Sequence, residues 1–314
     1  MTGSAVDFIA IVGPTASGKS DLALRLALAL NGEIINADSV QVYRNFDIGS
    51  GKPSKEEQAL VPHHLLDVRD AREPMEASQF QALAETTLSE VHARGRVPIV
   101  CGGTFLWMRA LIYGLAEAPG ASEEVRTRHQ SVVASAGREA LHAALVEVDP
   151  ETASRLHPND FVRVSRALEV YETSGRRLSE LQSEHGFQRP RHRALLVSVG
   201  HEREHYEARL ARRTQSLFEH GFVGEVQELL ERGYGETRAM SSIGYRQVRD
   251  ALLSPPWQEA TLIEEILRKT RVFARRQRTW LRDEKVLELA PHNLEAVDEP
   301  TLTLLRRWLA SETG

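Results

Sequence analysis

Residues 13–20 read Gly13-Pro14-Thr15-Ala16-Ser17-Gly18-Lys19-Ser20 and fit G-x-x-x-x-G-K-[ST], a spacing that wraps backbone around a chain of phosphates. Glycine lets successive N–H groups turn inward, and a helix starting just after the loop adds its positive end. Lys19 supplies a point charge, and the Ser20 hydroxyl can ligate Mg²⁺. Most chains with this loop use ATP or GTP, yet the loop alone does not name its ligand, since nucleotides and pyrophosphate esters present the same oxygens. A second group is Asp38-Ser39-Val40-Gln41-Val42-Tyr43, at the end of the run EIINAD. An aspartate beside a bound phosphate can hold Mg²⁺, accept a proton from an attacking group, or simply cap a turn. From the residues alone all three roles stay open.

A third group is RKTRVFARRQRTWLR, residues 268–282, with seven basic and no acidic residues. Arg271, Arg275, Arg278 and Arg282 stand at i, i+4, i+7 and i+11, so a helix sets them on one face, with Phe273 and Trp280 on a separate apolar line. Such a face is usually only solvated. With no acidic partner in the run to offset the repulsion, it favours a polyanion, either a phosphate substrate or a nucleic-acid backbone. Arg155, Arg163, Arg166, Arg176 and Arg177 add basic surface elsewhere in a chain whose net charge is −5. Only Lys19, Lys52, Lys55, Lys269 and Lys285 are lysines among its 39 basic residues. Arginine forks match phosphate geometry, although codon usage also explains the preference. His63-His64 lacks partners at metal-ligand spacing and reads as structural. Pro158-Asn159-Asp160 reads as a helix start. The single cysteine, Cys101, excludes an internal disulfide and a cysteine zinc cluster, and its setting VPIVCGG suits a small buried strand residue.

These groups need a frame. At 314 residues, 41% hydrophobic and 26% charged, the chain suits a globular protein with a sizeable core. No apolar stretch approaches a membrane span. The opening MTGSAVD has no signal-peptide pattern, so a cytoplasmic protein without membrane partners is expected. FIAIVG, EIINAD and RVPIVCGG read as strands, separated by the helices SDLALRLALALN, stopped by Asn31-Gly32, and SQFQALAETTLSEVHARG. This alternation predicts an α/β fold with a parallel sheet. Ligands then sit at the carboxyl ends of the strands, where the phosphate loop, Asp38-Ser39 and Gly102-Gly103-Thr104 converge. From about 115 to 190 no strand is convincing. RHRALLVSVG then returns to strand character, so residues 115–190 read as a helical insertion between 1–114 and 191–314. A short strand at KVLEL and a last helix near PTLTLLRRWLAS close the chain, with residues 1–4 and 312–314 expected to fray.

Taken together the segments resemble the tRNA dimethylallyltransferases, or isopentenyl-diphosphate:tRNA transferases, of bacterial type. The resemblance is carried by GPTASGKS, NADSVQVYRNFDIGSGKPS, VPHHLLD, CGGTFLWMRAL, HPNDFVRVSRALEVYETSG, RRTQSLFEHGFVGEV, SSIGYRQV and FARRQRTWL, in family order from about 8 to 283. It implies a P-loop NTPase-like core carrying an inserted tRNA-binding helical domain and basic C-terminal helices. It implies transfer of a dimethylallyl group from dimethylallyl diphosphate to N6 of adenosine 37, beside the anticodon, by a monomer that grips the anticodon stem-loop with Mg²⁺ as cofactor. By the same resemblance Thr15 to Ser20 hold the diphosphate, Lys19 and Arg213 balance its charge, and Asp38 is the general base. Ser39, Val40 and Gln41 lie with Asp38 against the target nucleotide. Thr104 and Arg126 match single tRNA contacts. Val162, Arg163, Val164, Ser165 and Arg166 match one tRNA-contact segment, and Ser241, Ser242, Ile243, Gly244, Tyr245 and Arg246 another. The chain departs from the family at Gly51, Trp107, Val162 and Ser242. The changes at Trp107 and Val162 bear on the grip on tRNA rather than on the diphosphate loop or Asp38.

The chemistry is coherent from below. Breaking the allylic C–O bond leaves charge on pyrophosphate, which amides, Lys19 and Arg213 stabilise as it develops. An adenine amine must lose a proton during or after attack, and a carboxylate can take it. The target base must also leave its stack, which is least costly in a loop already single-stranded. Two other classes compete. A small-molecule kinase using the same loop leaves the arginine surfaces without a role, and a nucleotide-switched RNA-binding protein leaves Asp38 without one.

Overall fold

Phe8–Val12 is apolar at every position and buried at every position, the pattern of a strand covered on both faces. This strand, β1, lies near the middle of a six-stranded sheet in the computed structural model, which describes residues 6–200, 202–282, 284–289 and 299–310. The other strands are β2 (Gly32–Asn36), β3 (His63–His64), β4 (Val97–Gly102), β5 (Ala194–Val199) and β6 (Val286–Leu289). All pairings are parallel and the order is β3-β2-β4-β1-β5-β6. Ile9 sits opposite Ile99, Phe8 opposite Ala194, and Ile34 opposite Ile99 from the other side. The expected strands are therefore present. The fold is α/β of the P-loop NTPase-like kind.

The strand order matters for the site. After β1 the chain crosses over β4 to build β2, and after β4 it crosses over β1 to build β5. The crevice at the carboxyl ends of β1 and β4 is thus where the winding reverses, the place where open α/β sheets bind ligands.

Helix α1 (Lys19–Leu30) covers one face of the sheet. Its Leu22, Leu26 and Leu30 recur at helical spacing and bury against Ile9, Ile11, Ile34 and Ile99. Complete burial of a leucine such as Leu22 or Leu26 contributes about 1.5–3 kcal/mol. The helix stops where the sequence expects, with Asn31 in the left-handed conformation at φ 54°. Leu302 and Leu305 of the last helix, α13 (Glu299–Ala310), close the same cluster. Cys101 is buried there too, and burial pushes its thiol up to about 12, which suits a packing residue rather than a nucleophile. The expected fraying of 1–4 and 312–314 lies outside the described residues.

The remaining helices are α2 (Lys55–Leu60), α3 (Ala77–Ala93), α4 (Phe105–Tyr113), α5 (Glu123–Val148), α6 (Pro150–Arg155), α7 (Phe161–Ser174), α8 (Leu178–His185), α9 (Arg203–Glu219), α10 (Phe222–Glu231), α11 (Tyr245–Leu253) and α12 (Glu259–Leu281). The chain divides into two compact units, one of residues 1–112 with 191–314 and one of residues 113–190. The second holds α5 to α8 and no strand among its residues. Its core is Leu141, Leu145, Ala153, Val164, Ala167 and Leu168. Asp149 is its keystone: the carboxylate accepts from the Thr152 amide at 3.0 Å, the Thr152 hydroxyl at 2.7 Å and the Ser179 amide at 3.0 Å. It therefore caps α6 and also receives the first turn of α8. Asp160 caps α7, as Pro158-Asn159-Asp160 suggested.

His63 and His64 form β3, a strand not legible in the sequence. His64 Nε2 lies 2.7 Å from the carboxylate of buried Glu33, which Arg94 also holds in a fork at 3.1 and 2.7 Å. The hydrogen bonds from Arg94, aided by His64, keep Glu33 below the usual carboxylate range against the upward push of burial. Trp107 is buried and stacks on Phe80 with ring centroids 4.5 Å apart, so its side chain belongs to the core packing. No helix among the described residues is long and apolar enough to cross a membrane.

Candidate active site

The phosphate loop runs from the end of β1 into α1, with Gly18 at φ 86° as the residue before the helix. Both peptide groups of Thr15 are held from outside the loop. Its N–H donates to Gln277 Oε1 at 3.0 Å, and its carbonyl accepts from the Tyr206 hydroxyl at 2.9 Å. Arg209 Nε donates to the Ala16 carbonyl at 3.3 Å. Helices α9 and α12 thus fix the loop's shape.

Beside it, the ends of β2 and β4 come very close. A Cβ on Gly102 would stand 2.2 Å from the Ala37 carbonyl oxygen, so only glycine fits. That approach lets Thr104 Oγ1 accept the Ser39 amide at 3.0 Å. Asp38 Oδ1 accepts from Val40 N at 2.9 Å and Gln41 N at 3.4 Å, a turn in which Oδ2 takes no part. Gln41 in turn donates to the carbonyls of Ser50 at 3.2 Å and Gly51 at 3.0 Å. Arg213 Nη2 reaches the Ser50 carbonyl at 3.4 Å.

These segments surround one cavity of about 380 Å³. Thr15, Lys19 and Ser20 line it, with Asp38 to Gln41, Gly102 to Thr104, Arg213 and Gln277. Leu210, Leu217, Ile266 and Phe273 give it an apolar wall. Burial lowers the Lys19 ammonium below its ordinary range, and Arg213 lowers it further against the opposing pull of Cys101 and Asp38. Burial also lowers Arg213, opposed by Asp38. Two desolvated cations in one pocket are an arrangement that a diphosphate neutralises. Among the described residues no three His, Cys, Asp or Glu side chains form a metal cluster. Ser20 is exposed at the first turn of α1 and can serve as one ligand. This suits Mg²⁺, which keeps several waters and takes its other ligands from phosphate.

The candidate tRNA residues fall into different environments. Ser241, Ser242, Ile243, Gly244 and Tyr245 line the cavity, and Arg246 is exposed. Tyr245 is buried among Phe46 and Phe222, and its hydroxyl donates to Glu225 at 2.7 Å, so its side chain builds the site rather than meeting solvent. In the helical unit, Val162 and Arg163 are exposed, whereas Val164 and Ser165 are buried within it. Those two cannot offer side chains to a partner. Arg126 and Arg166 are both tethered to the fully buried carboxylate of Glu169, at 3.3 and 2.6 Å. Burial pushes Glu169 upward, but the Arg166 hydrogen bond, the Ser122 amide and Arg126 outweigh it and hold it below the usual carboxylate range.

The basic run of α12 also reads differently in three dimensions. Arg271 has an acidic partner after all, Glu207 on α9 at 2.7 Å. Arg278 stacks over Tyr206, and Trp280 stacks on Phe105 while Phe273 faces the cavity. Arg275, Arg276 and Arg282 remain exposed. Gln277, Tyr206, Glu225 and Glu169 were missed in the sequence because each acts through a partner tens of residues or more away.

Comparison with known proteins gives the family and the fold. The family model described as IPP transferase matches residues 41–284. The chain is 52% identical over 285 residues to the tRNA dimethylallyltransferase of Sorangium cellulosum, covering 90% of each chain. It is 46% identical over 283 residues to tRNA dimethylallyltransferase 1 of Pelobacter propionicus, covering 89% of this chain and 91% of that one. Among solved structures it superposes on the full-length tRNA isopentenylpyrophosphate transferase of Bacillus halodurans with a TM-score of 0.68, at 33% identity and coverage of 96% and 97%. A eukaryotic dimethylallyltransferase acting on tRNA gives a TM-score of 0.78 at 27% identity, covering 95% of this chain and 77% of that one.

Proposed function

The chain belongs to the IPP transferase family, whose curated members are tRNA dimethylallyltransferases, and from that premise we propose how its cavity carries out the prenylation of tRNA. The donor is dimethylallyl diphosphate and the acceptor is N6 of adenosine 37 in the anticodon loop. The diphosphate lies against the amides of the loop from Thr15 to Ser20, between Lys19 and Arg213. The allyl group rests on the apolar wall of Leu210, Ile266 and Phe273. One allylic C–O bond breaks, its electron pair leaves with pyrophosphate, an N6–C bond forms, and the N6 proton passes to Asp38. Ser20 would be the protein ligand for Mg²⁺, and the ion would supply further charge neutralisation to the leaving group.

The observation that carries this reading is the meeting of two desolvated cations, a phosphate loop and a half-buried carboxylate in one cavity with an apolar wall. Lys19 and Arg213 act where negative charge grows, so their stabilisation increases towards the transition state. Asp38 is tied through Oδ1 to its own turn, which orients the carboxylate and leaves Oδ2 for the proton. Exposed Val162, Arg163 and Arg246, with the outer arginines of α12, supply surface for the RNA. A kinase reading is set aside, because the family relationship is to prenyltransferases.

The test is incubation with dimethylallyl diphosphate, Mg²⁺ and tRNA lacking the modification, followed by nucleoside analysis. N6-dimethylallyladenosine at position 37 is expected. No prenylated adenosine, under conditions in which another family member works, would sink the proposal.

A further inference from the structure

Gln277 is 4% exposed, lies inside the most basic stretch of the chain, and is uncharged. Its carboxamide faces two backbone groups. Oε1 accepts the Thr15 N–H at 3.0 Å and Nε2 donates to the Gly103 carbonyl at 2.9 Å. The amide orientation is forced, since one neighbour can only donate and the other can only accept. The fit is close as well: a Cβ on Gly103 would stand 2.7 Å from Nε2.

We infer that Gln277 is a positioning residue that sets the spacing between the diphosphate loop and the segment carrying Asp38. The path is short. Gln277 joins Thr15 to Gly103; the adjacent Thr104 accepts the Ser39 amide; Asp38 is the next residue back. The Tyr206 hydroxyl holds the opposite side of Thr15, so the peptide groups of this residue are fixed by α9 and α12 together. The inference rests on the prenyl-transfer reading, in which leaving group and proton acceptor must be held at one separation. Both hydrogen bonds of Gln277 are to backbone groups, and its work is done through Thr15 and Gly103.

Two variants test it, assayed beside the unaltered protein by steady-state prenylation of tRNA with donor and tRNA each varied in turn. Gln277→Met keeps the length and loses both hydrogen bonds. Misplacement of a reacting group by about 1 Å costs up to about 100-fold in rate, so kcat should fall about 10- to 100-fold, with both KM values within about threefold. Gln277→Glu keeps the shape and the acceptor for Thr15, but as a carboxylate it turns a second oxygen on the Gly103 carbonyl. The protonated acid can donate again, as the amide does. The ratio of the Gln277→Glu rate to the unaltered rate should therefore rise as pH falls, since any pH dependence common to both proteins cancels in the ratio. A purely structural role would not produce that rise. If Gln277→Met does not fold, the pH ratio of Gln277→Glu decides. A flat ratio, kcat within twofold of the unaltered protein for either variant, or a loss found only in KM would overturn the inference. If the unaltered protein itself forms no prenylated adenosine, the failure belongs to the functional reading instead.

Discussion

Replacing Asp38 by asparagine separates three roles that one aspartate could have at this point in the chain. The structure makes asparagine a sharper probe than alanine. Its Oδ1 can still accept from Val40 N and Gln41 N, the bonds that Asp38 Oδ1 makes at 2.9 and 3.4 Å, so the turn survives. What is lost is the charge and the proton acceptor. Removal of a general base costs about 10²- to 10⁴-fold in rate, or about 2.7–5.4 kcal/mol of barrier. Donor affinity should hold or rise, because the variant removes an anion from a pocket that receives a diphosphate. Asp38→Ala should lose the same rate and, in addition, the turn. By analogy with a helix cap that is about 0.5–2 kcal/mol, or about 2- to 30-fold, appearing as weaker tRNA binding because Ser39 to Gln41 are loosened. Single-turnover rates at saturating tRNA and donor give the first quantity, and filter binding of tRNA the second. Calorimetric donor titrations with and without Mg²⁺ give the third. A loss below tenfold for Asp38→Asn would refute the base assignment. Mg²⁺-dependent weakening of the donor would give the residue to the metal instead, and an effect confined to Asp38→Ala would leave it only the turn.

Donor binding should weaken as pH rises through the Lys19 pKa, which burial and Arg213 set below that of an ordinary lysine. Diphosphate favours the protonated form, so binding takes up a proton there, and titrations against pH should show an alkaline limb that Lys19→Met abolishes; an unchanged limb in the variant would assign it elsewhere. Gly49→Ala should lower the melting temperature, because the new Cβ would stand 2.1 Å from Phe222 Cε2 and 2.6 Å from Tyr245 Cζ. Overpacking of this kind costs about 1–3 kcal/mol, and a melting curve unchanged within a degree would contradict the packing described. Glu169→Gln should weaken tRNA binding more than it slows the step at saturating tRNA, since it releases Arg126 and Arg166 from a buried carboxylate. The tether exists above the unfolded carboxylate pKa and disappears as pH falls through the lower folded value, so the variant and the unaltered protein should converge in acid.

Much of the frame was legible because it is written in local periodicity. FIAIV and VPIVCG are short apolar runs, GEIIN sets two isoleucines between turn residues, and each is a strand. The phosphate loop was legible for a different reason: its chemistry comes from backbone amides, so the glycines and Lys19 that shape it must be contiguous. The two-residue strand at His63-His64 was not legible, since so short a segment carries no period and exists only because Ile34 and Ile35 lie beside it. Charge on α12 was legible, but its partners were not. Glu207 lies 64 residues from Arg271, and no spacing rule joins them.

By itself, the sequence determined the strands, the helix faces, the loop of phosphate-binding spacing and the family that the motifs resemble, because those depend on neighbours along the chain. Tertiary structure decided which side chains are free to act. It turned Val164, Ser165 and Tyr245 inward, placed Trp107 in the core, and gave buried Glu169 to two arginines. It also placed a neutral glutamine between the loop and the end of β4. The physical reason is the same each time. Burial and hydrogen-bond satisfaction are properties of what surrounds an atom in space, and the surroundings of Gln277 come from Thr15 and Gly103, 262 and 174 residues away.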